Sequence, residues 1–335
     1  MTYIPSFDAN EVEILLVGGG GAGGPMYHVG AGGGGGGGGV MVARVRLAAS
    51  AEYQAITGCG GYTPTGVSGE HTSLKGGYSS IIGPNGFLLT VDGGGRGFGE
   101  DLVDAPPGGL STLKIPGTSA ALADRRGQMT GGSGGGGGVV YPDSVATAGG
   151  KGTSGGHGGT GAEASNVAYN GGGGGANGLG QFSALTGQGN GGLGARYAIR
   201  VYRNPSNELT AEFGGIYGGG GASGTPGSRG GAGGGADAPA SSGQAGIAGT
   251  DATGGGGSGA CVSSAFPGWQ APGKGGHGIV IISYPGKQKL SLSGGAGWHT
   301  LQLGPLCVHV LEYEPADYGS TTPTFQLDNA FRIVV

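Results

Sequence analysis

Gly218, Gly221, Gly224, Gly227, Gly230 and Gly233 recur at every third position, and Gly149, Gly152, Gly155, Gly158 and Gly161 form a second such row. In an extended helix of three residues per turn this spacing lines one whole edge with glycine. Shorter rows occur at Gly18, Gly21 and Gly24, at Gly30, Gly33, Gly36 and Gly39, and at Gly243, Gly246 and Gly249. Near-continuous glycine at 131–138, 171–175 and 254–257 fits any small period. At a rise of about 3.1 Å per residue, the row from Gly218 to Gly233 would span about 50 Å as one helix. Such helices bond nothing internally, so their amides and carbonyls must find neighbouring chains.

Glycine supplies 92 of 335 residues and hydrophobic residues only 36%, too few for an ordinary core in a chain of this length. Each ordered glycine costs about 0.5–1 kcal/mol more backbone entropy than alanine. An ordered interior therefore has to be made of closely packed backbone. Collagen is the rival architecture, but 17 prolines and short, interrupted rows favour a single chain folded back into a bundle.

Between the glycine rows lie segments with strand character. Glu11 to Val17, Met41 to Leu47, Tyr53 to Thr57, Phe87 to Val91 and Ile279 to Tyr284 are apolar, β-branched or alternating, and together suit a small sandwich. Tyr197, Ile199 and Val201, then Leu209, Ala211 and Phe213 after Asn204-Pro205-Ser206-Asn207, read as a hairpin. A short helix is expected from Thr118 to Arg126. Glycine becomes rare after Gly286, where Leu290-Ser-Leu, Leu301-Gln-Leu, Val308-His-Val-Leu, Phe325-Gln-Leu and Phe331-Arg-Ile-Val-Val follow. The expected fold class is therefore all-β with polyglycine II helices. A glycine-rich β-sandwich and polyglycine helix bundle occupy 1–286, and a separate small β module for anchoring or assembly occupies 287–335.

A net charge of −4 with 11% charged residues and no basic stripe argues against nucleic acid. The N-terminus lacks a basic and then apolar leader, and no segment approaches membrane-spanning length. Cys59, Cys261 and Cys307 have neither disulfide-framework nor zinc spacing. Gly268 to Gly275 nearly spells a phosphate-binding loop, but Gly275 stands where the Mg²⁺-binding Ser or Thr belongs. The histidines show no metalloprotease pattern, and the pairs Asp101 with Asp104 and Glu312 with Glu314 read as solvated carboxylates. No catalytic residue, metal or cofactor is expected, and the protein is expected not to be an enzyme.

The segments interrupting the glycine rows are aromatic: Pro25-Met-Tyr27-His28, Val139-Val-Tyr141-Pro-Asp143, Asn166-Val-Ala-Tyr169-Asn170 and Phe266-Pro-Gly-Trp269-Gln. They can serve as packing caps at the bundle ends or as anchors for a partner. Tyr27, His28, Tyr141, Tyr169, Phe266 and Trp269 are the contact candidates.

The frame Val12-Glu-Ile-Leu-Leu-Val-Gly-Gly-Gly-Gly-Ala-Gly-Gly, then Gly32 to Gly39 entering Val40-Met-Val-Ala-Arg-Val, then Tyr53-Gln-Ala-Ile-Thr-Gly-Cys-Gly-Gly, resembles glycine-rich domains of bacteriophage tail-fibre and virion proteins. Gly273-Lys-Gly-Gly-His-Gly-Ile-Val-Ile-Ile-Ser-Tyr is similar to their last strand, so the resemblance covers about residues 11–285. Extracellular glycine-rich domains of certain receptor kinases look similar too. The phage resemblance implies a sandwich base carrying polyglycine II helices, with some members acting as receptor-binding adhesins. A virion location follows, with synthesis in the host cytoplasm without a signal peptide. Its implied partners are other tail or capsid proteins, a host surface protein or glycan, and copies of itself, a trimer included. The alternative is a capsid or tail decoration that binds no receptor.

Overall fold

A computed structural model describes residues 11–26, 30–48, 51–63, 75–99, 112–114, 132–137, 139–140, 145–146, 149–152, 162–164, 167–181, 188–262, 268–286, 290–293, 298–313 and 331–334. The strands are β1 (Glu11–Val17), β2 (Gly30–Ala31), β3 (Val40–Arg46), β4 (Glu52–Ile56), β5 (Ser79–Ile82), β6 (Leu88–Val91), β7 (Thr112–Lys114), β8 (Val139–Val140), β9 (Val145–Ala146) and β10 (Ala162–Ala164). They continue with β11 (Val167–Tyr169), β12 (Ala195–Arg203), β13 (Leu209–Tyr217), β14 (Cys261–Val262), β15 (Ile279–Pro285), β16 (Ser291–Ser293), β17 (Trp298–Leu303), β18 (Leu306–Glu312) and β19 (Phe331–Val334). The fold is all-β; the only helical element among the described residues is a 3₁₀ turn at Pro84–Gly86. The helix expected over 118–126 lies outside the described residues.

A five-stranded sheet runs β17-β18-β15-β1-β3 and a six-stranded sheet runs β16-β19-β4-β5-β6-β7. Side chains alternate across a strand, so β1 sends Val12, Ile14 and Leu16 to one face. There they meet Tyr53, Ala55, Ile81, Leu89 and Val91 of the six-stranded sheet in one buried cluster. Leu15 and Val17 point the other way. They join Ile279, Ile281, Val308 and Val310 beneath Tyr197, Ile199, Val201 and Tyr217 of the β12–β13 hairpin. Burial on both faces explains why Glu-Val-Glu-Ile-Leu-Leu-Val ends as a continuous apolar run instead of alternating.

The strands described after residue 286, expected as a separate module, pair into the two sheets. β17 and β18 extend the first sheet from the free edge of β15, with Ile281 opposite Val310, and β19 pairs with β4, with Ile333 opposite Tyr53. Without them β15 and β4 would each present an unpaired edge, so these strands complete the sandwich.

Glycine runs leave the sandwich from the strand ends. In the run from Gly32 to Gly39, Gly32, Gly35 and Gly38 donate to Ala260, Gly257 and Gly254, while Gly33, Gly36 and Gly39 donate to Phe98, Gly95 and Asp92. Gly34 and Gly37 donate to Gly171 and Gly174. The carbonyls repeat the pattern: they accept from Gly24, Gly21 and Gly18, from Gly136 and Ser133, and from Gly224 and Gly221. Partners therefore change with a period of three, and the run is enclosed by the six segments 18–24, 92–98, 133–136, 171–174, 221–224 and 254–260. Backbone packs on backbone. An added Cβ would lie 2.1 Å from the Gly21 carbonyl oxygen at Gly35, 2.1 Å from that of Ser133 at Gly36 and 2.0 Å from that of Gly18 at Gly38. Where the array meets the sandwich, the buried Ser79 hydroxyl donates to the Val17 carbonyl at 2.6 Å and accepts the Gly58 amide at 2.8 Å.

The long row from Gly218 to Gly233 is not one helix. Thr225-Pro226-Gly227-Ser228 closes a turn through the Ser228 amide and Thr225 carbonyl at 3.1 Å, with Gly227 at φ 88°. Proline followed by a positive-φ glycine is the chemistry of a type II turn, and it overrides the period. A second reversal follows with Gly233 at φ 103° and Gly234 at φ 92°. Most of the other long row, at 153–161, lies outside the described residues.

Candidate binding end of the glycine array

The runs have two ends. One set of ends merges into the sandwich: Val17 precedes Gly18, Gly39 precedes Val40, and Gly278 precedes Ile279. At the opposite set the chain turns around, and short pairings mark where. Gly30 lies opposite Val262 and Ala31 opposite Cys261 in the β2–β14 pair, and Met26 bridges Gln270. Met26, Ala260 and Val262 bury against one another in a small apolar cluster of their own. β11 lies against both β2 and β8, and β10 against β9. Gly99 reaches the same region, since a Cβ there would fall 2.5 Å from the Pro25 ring. The turn at Thr225 to Ser228 follows Gly224, whose amide donates to the Gly32 carbonyl at 2.8 Å.

Of the six sequence-derived candidates, Tyr169 and Trp269 can be placed against this frame. Tyr27, His28, Tyr141 and Phe266 lie outside the described residues. Their flanks do not: Met26 and Gly30 bracket the first two, Val140 and Val145 bracket Tyr141, and Val262 and Gly268 bracket Phe266. Tyr169 is the last residue of β11, opposite Ala162. Trp269 is half-buried beside Gln270, which exchanges backbone bonds with Met26. The described flanks of all the aromatic interruptions thus gather at one end. Two features there went unnoticed in the sequence. The Met26–Ala260–Val262 cluster was visible as apolar residues closing glycine runs, and the Ser223–Ser228 hydroxyl pair at 3.2 Å depends on a turn hidden inside the long row.

The titratable groups with displaced pKa values and well-defined partners lie elsewhere. Burial beneath the hairpin pushes the Glu13 carboxyl up, opposed by Tyr197 and Arg44. The His309 ring is enclosed by the Tyr284 hydroxyl at 2.7 Å and the Thr300 hydroxyl at 2.9 Å, and burial lowers it to about 4. Among the described residues no group of His, Cys, Asp and Glu is arranged to hold a metal ion. In the near phosphate-binding loop, the Gly273 amide donates to Ser258 and the Gly275 amide to Gly61, so these amides are spent within the array.

The sequence profile of the glycine-rich domain matches residues 1–285, most of the chain. The chain belongs to the glycine-rich domain family. No curated protein and no solved structure matches it. The family match of this glycine-rich domain protein ends as β15 ends, whereas its two sheets continue into β16, β17, β18 and β19.

Proposed function

We propose that this glycine-rich domain protein is a phage virion component, an adhesin of the tail fibre or tail tip, that meets a host surface protein or glycan with the far end of its glycine array. The three-residue hydrogen-bond period, with each inner run enclosed by neighbours, supports taking the runs as a polyglycine II bundle. One observation carries the reading: the flanks of Tyr27, His28, Tyr141, Phe266 and Trp269, together with Tyr169, collect at the end opposite the sandwich. Glycine-lined sides offer few side chains to recognise, whereas loops at an end can carry aromatic anchors. The sandwich, with its C-terminal strands, is left to hold other virion proteins or copies of the chain.

The test is adsorption of particles, or binding of purified protein to host cells, for Tyr27→Ala, Tyr141→Ala, Tyr169→Ala and Trp269→Ala, each with its melting temperature. An anchor in the contact costs about 2 kcal/mol or more on truncation, roughly a thirtyfold loss of binding, with melting unchanged. If every folded variant adsorbs normally, the aromatic residues are packing caps and the protein is a decoration of the capsid or tail.

A further inference from the structure

His277 sits where four parts of the chain meet, and its hydrogen bonds fix its protonation. The Gly60 backbone amide donates to its Nδ1 at 2.9 Å. A backbone N–H can only donate, so Nδ1 carries no proton and the ring is the neutral Nε2–H tautomer. On one face the ring stacks on Tyr313, centroids 4.2 Å apart with planes 17° from parallel. Nε2 points toward Asp251 Oδ1 at 3.8 Å, too far for a hydrogen bond but close enough for a charge to matter. That carboxylate is already anchored, because Oδ1 accepts the His277 backbone amide at 3.0 Å.

Among the described residues, few charged and titratable groups face the ring. The turn after Thr250 supplies Asp251, the ring's own run supplies Lys274, and the segment after β18 supplies the Tyr313 phenol. The run from Thr57 to Gly61 brings the Gly60 amide and the Cys59 thiol, with no charged side chain. A proton added at Nδ1 would set two donors against each other across the Gly60 contact. The resulting cation would have its favourable partner on the other side, in Asp251.

We propose that His277 is a proton-operated latch, holding the 58–61 run through Gly60 while neutral and exchanging that partner for Asp251 when protonated. The bonds on either side, from Gly275 to the Gly61 carbonyl and from Gly278 to the Gly58 carbonyl, both 2.8 Å, do not involve the ring and stay in place. The latch therefore frees one amide locally and leaves the array standing. Burial and Lys274 hold the imidazole below its ordinary 6.5 against the pull of Asp251, so the exchange belongs on the acid side of that value.

The experiment follows the His277 ring and the Gly60 amide of the full chain by NMR from about pH 7.5 to about pH 4.5. Gly60 protection against hydrogen exchange, corrected for the intrinsic pH dependence of exchange, is expected to fall about tenfold as His277 titrates below 6.5, with Gly275 and Gly278 unchanged. His277→Asn retains an acceptor near the Nδ1 position and cannot titrate, so its Gly60 protection should stay flat. Asp251→Asn removes the acid-side partner and should move the His277 titration to lower pH. Constant Gly60 protection through the titration overturns the latch, as does an acid loss retained in His277→Asn or a titration unmoved in Asp251→Asn. Should His277→Asn not fold, wild type and Asp251→Asn decide the matter.

Discussion

Gly35→Ala puts one methyl group into the centre of the glycine array. The new Cβ would lie 2.1 Å from the Gly21 carbonyl oxygen and 2.7 Å from that of Ala22. An ordinary contact is about 3.4 Å or more, so the two runs must separate by roughly an ångström. The bonds from Gly18 to Gly39, Gly21 to Gly36 and Gly24 to Gly33 hold these runs at 2.9, 2.8 and 2.8 Å and would break at that separation. Each leaves a buried donor and acceptor without partners at about 1–3 kcal/mol, so a loss of about 5 kcal/mol is expected. That is a large fraction of a typical domain stability of about 5–15 kcal/mol. Gly214→Ala is the control: Gly214 has φ 90° and nothing within 4 Å of an added Cβ, so only backbone strain of about 1–2 kcal/mol is expected. Urea melts of the two variants beside wild type measure the difference. If Gly35→Ala unfolds within about 1 kcal/mol of Gly214→Ala, backbone-to-backbone packing does not hold the array together. Gly227, in its turn beside the flexible end of Gln188, belongs with the mild class.

A chain ended at Gly286 would lose β16, β17, β18 and β19, stripping partners from β15 and β4; it is expected to lack a cooperative melt by circular dichroism, and a native-like melt would show the C-terminal strands to be dispensable. For His309 the folded value of about 4 lies below the ordinary 6.5, so the unfolded chain binds the proton more readily. Stability should be complete above about pH 6.5 and fall by about 3 kcal/mol as pH drops toward 4, with the slope reduced in His309→Gln when melts are compared across pH.

The long sandwich strands and the hairpin were legible because each carries its own signal. Val12, Ile14 and Leu16 alternate with Leu15 and Val17 across a strand buried on both faces, and the Tyr197–Val201 alternation marks the inner face of its hairpin. The aromatic interruptions were legible as breaks between glycine runs, and the gathering of their described flanks at one end follows from runs that reverse direction. The long glycine row misled because Thr225-Pro226-Gly227-Ser228 keeps the period in letters while the backbone turns. β5 also escaped notice, since Ser79-Ser80-Ile81-Ile82 uses its serines to bond Val17 and Leu89 carbonyls instead of packing.

By itself the sequence determined that this chain is all-β and that its glycines form an ordered interior, because a three-residue period and two-residue alternation are properties of the local backbone. Only the tertiary structure decided which runs are neighbours, that the strands described after residue 286 finish the sandwich, and that His277 meets Gly60, Asp251 and Tyr313. A glycine run carries no side chain to select its partner. Its neighbours are chosen by where the strands at its ends are anchored, and that choice exists only once both sheets have assembled.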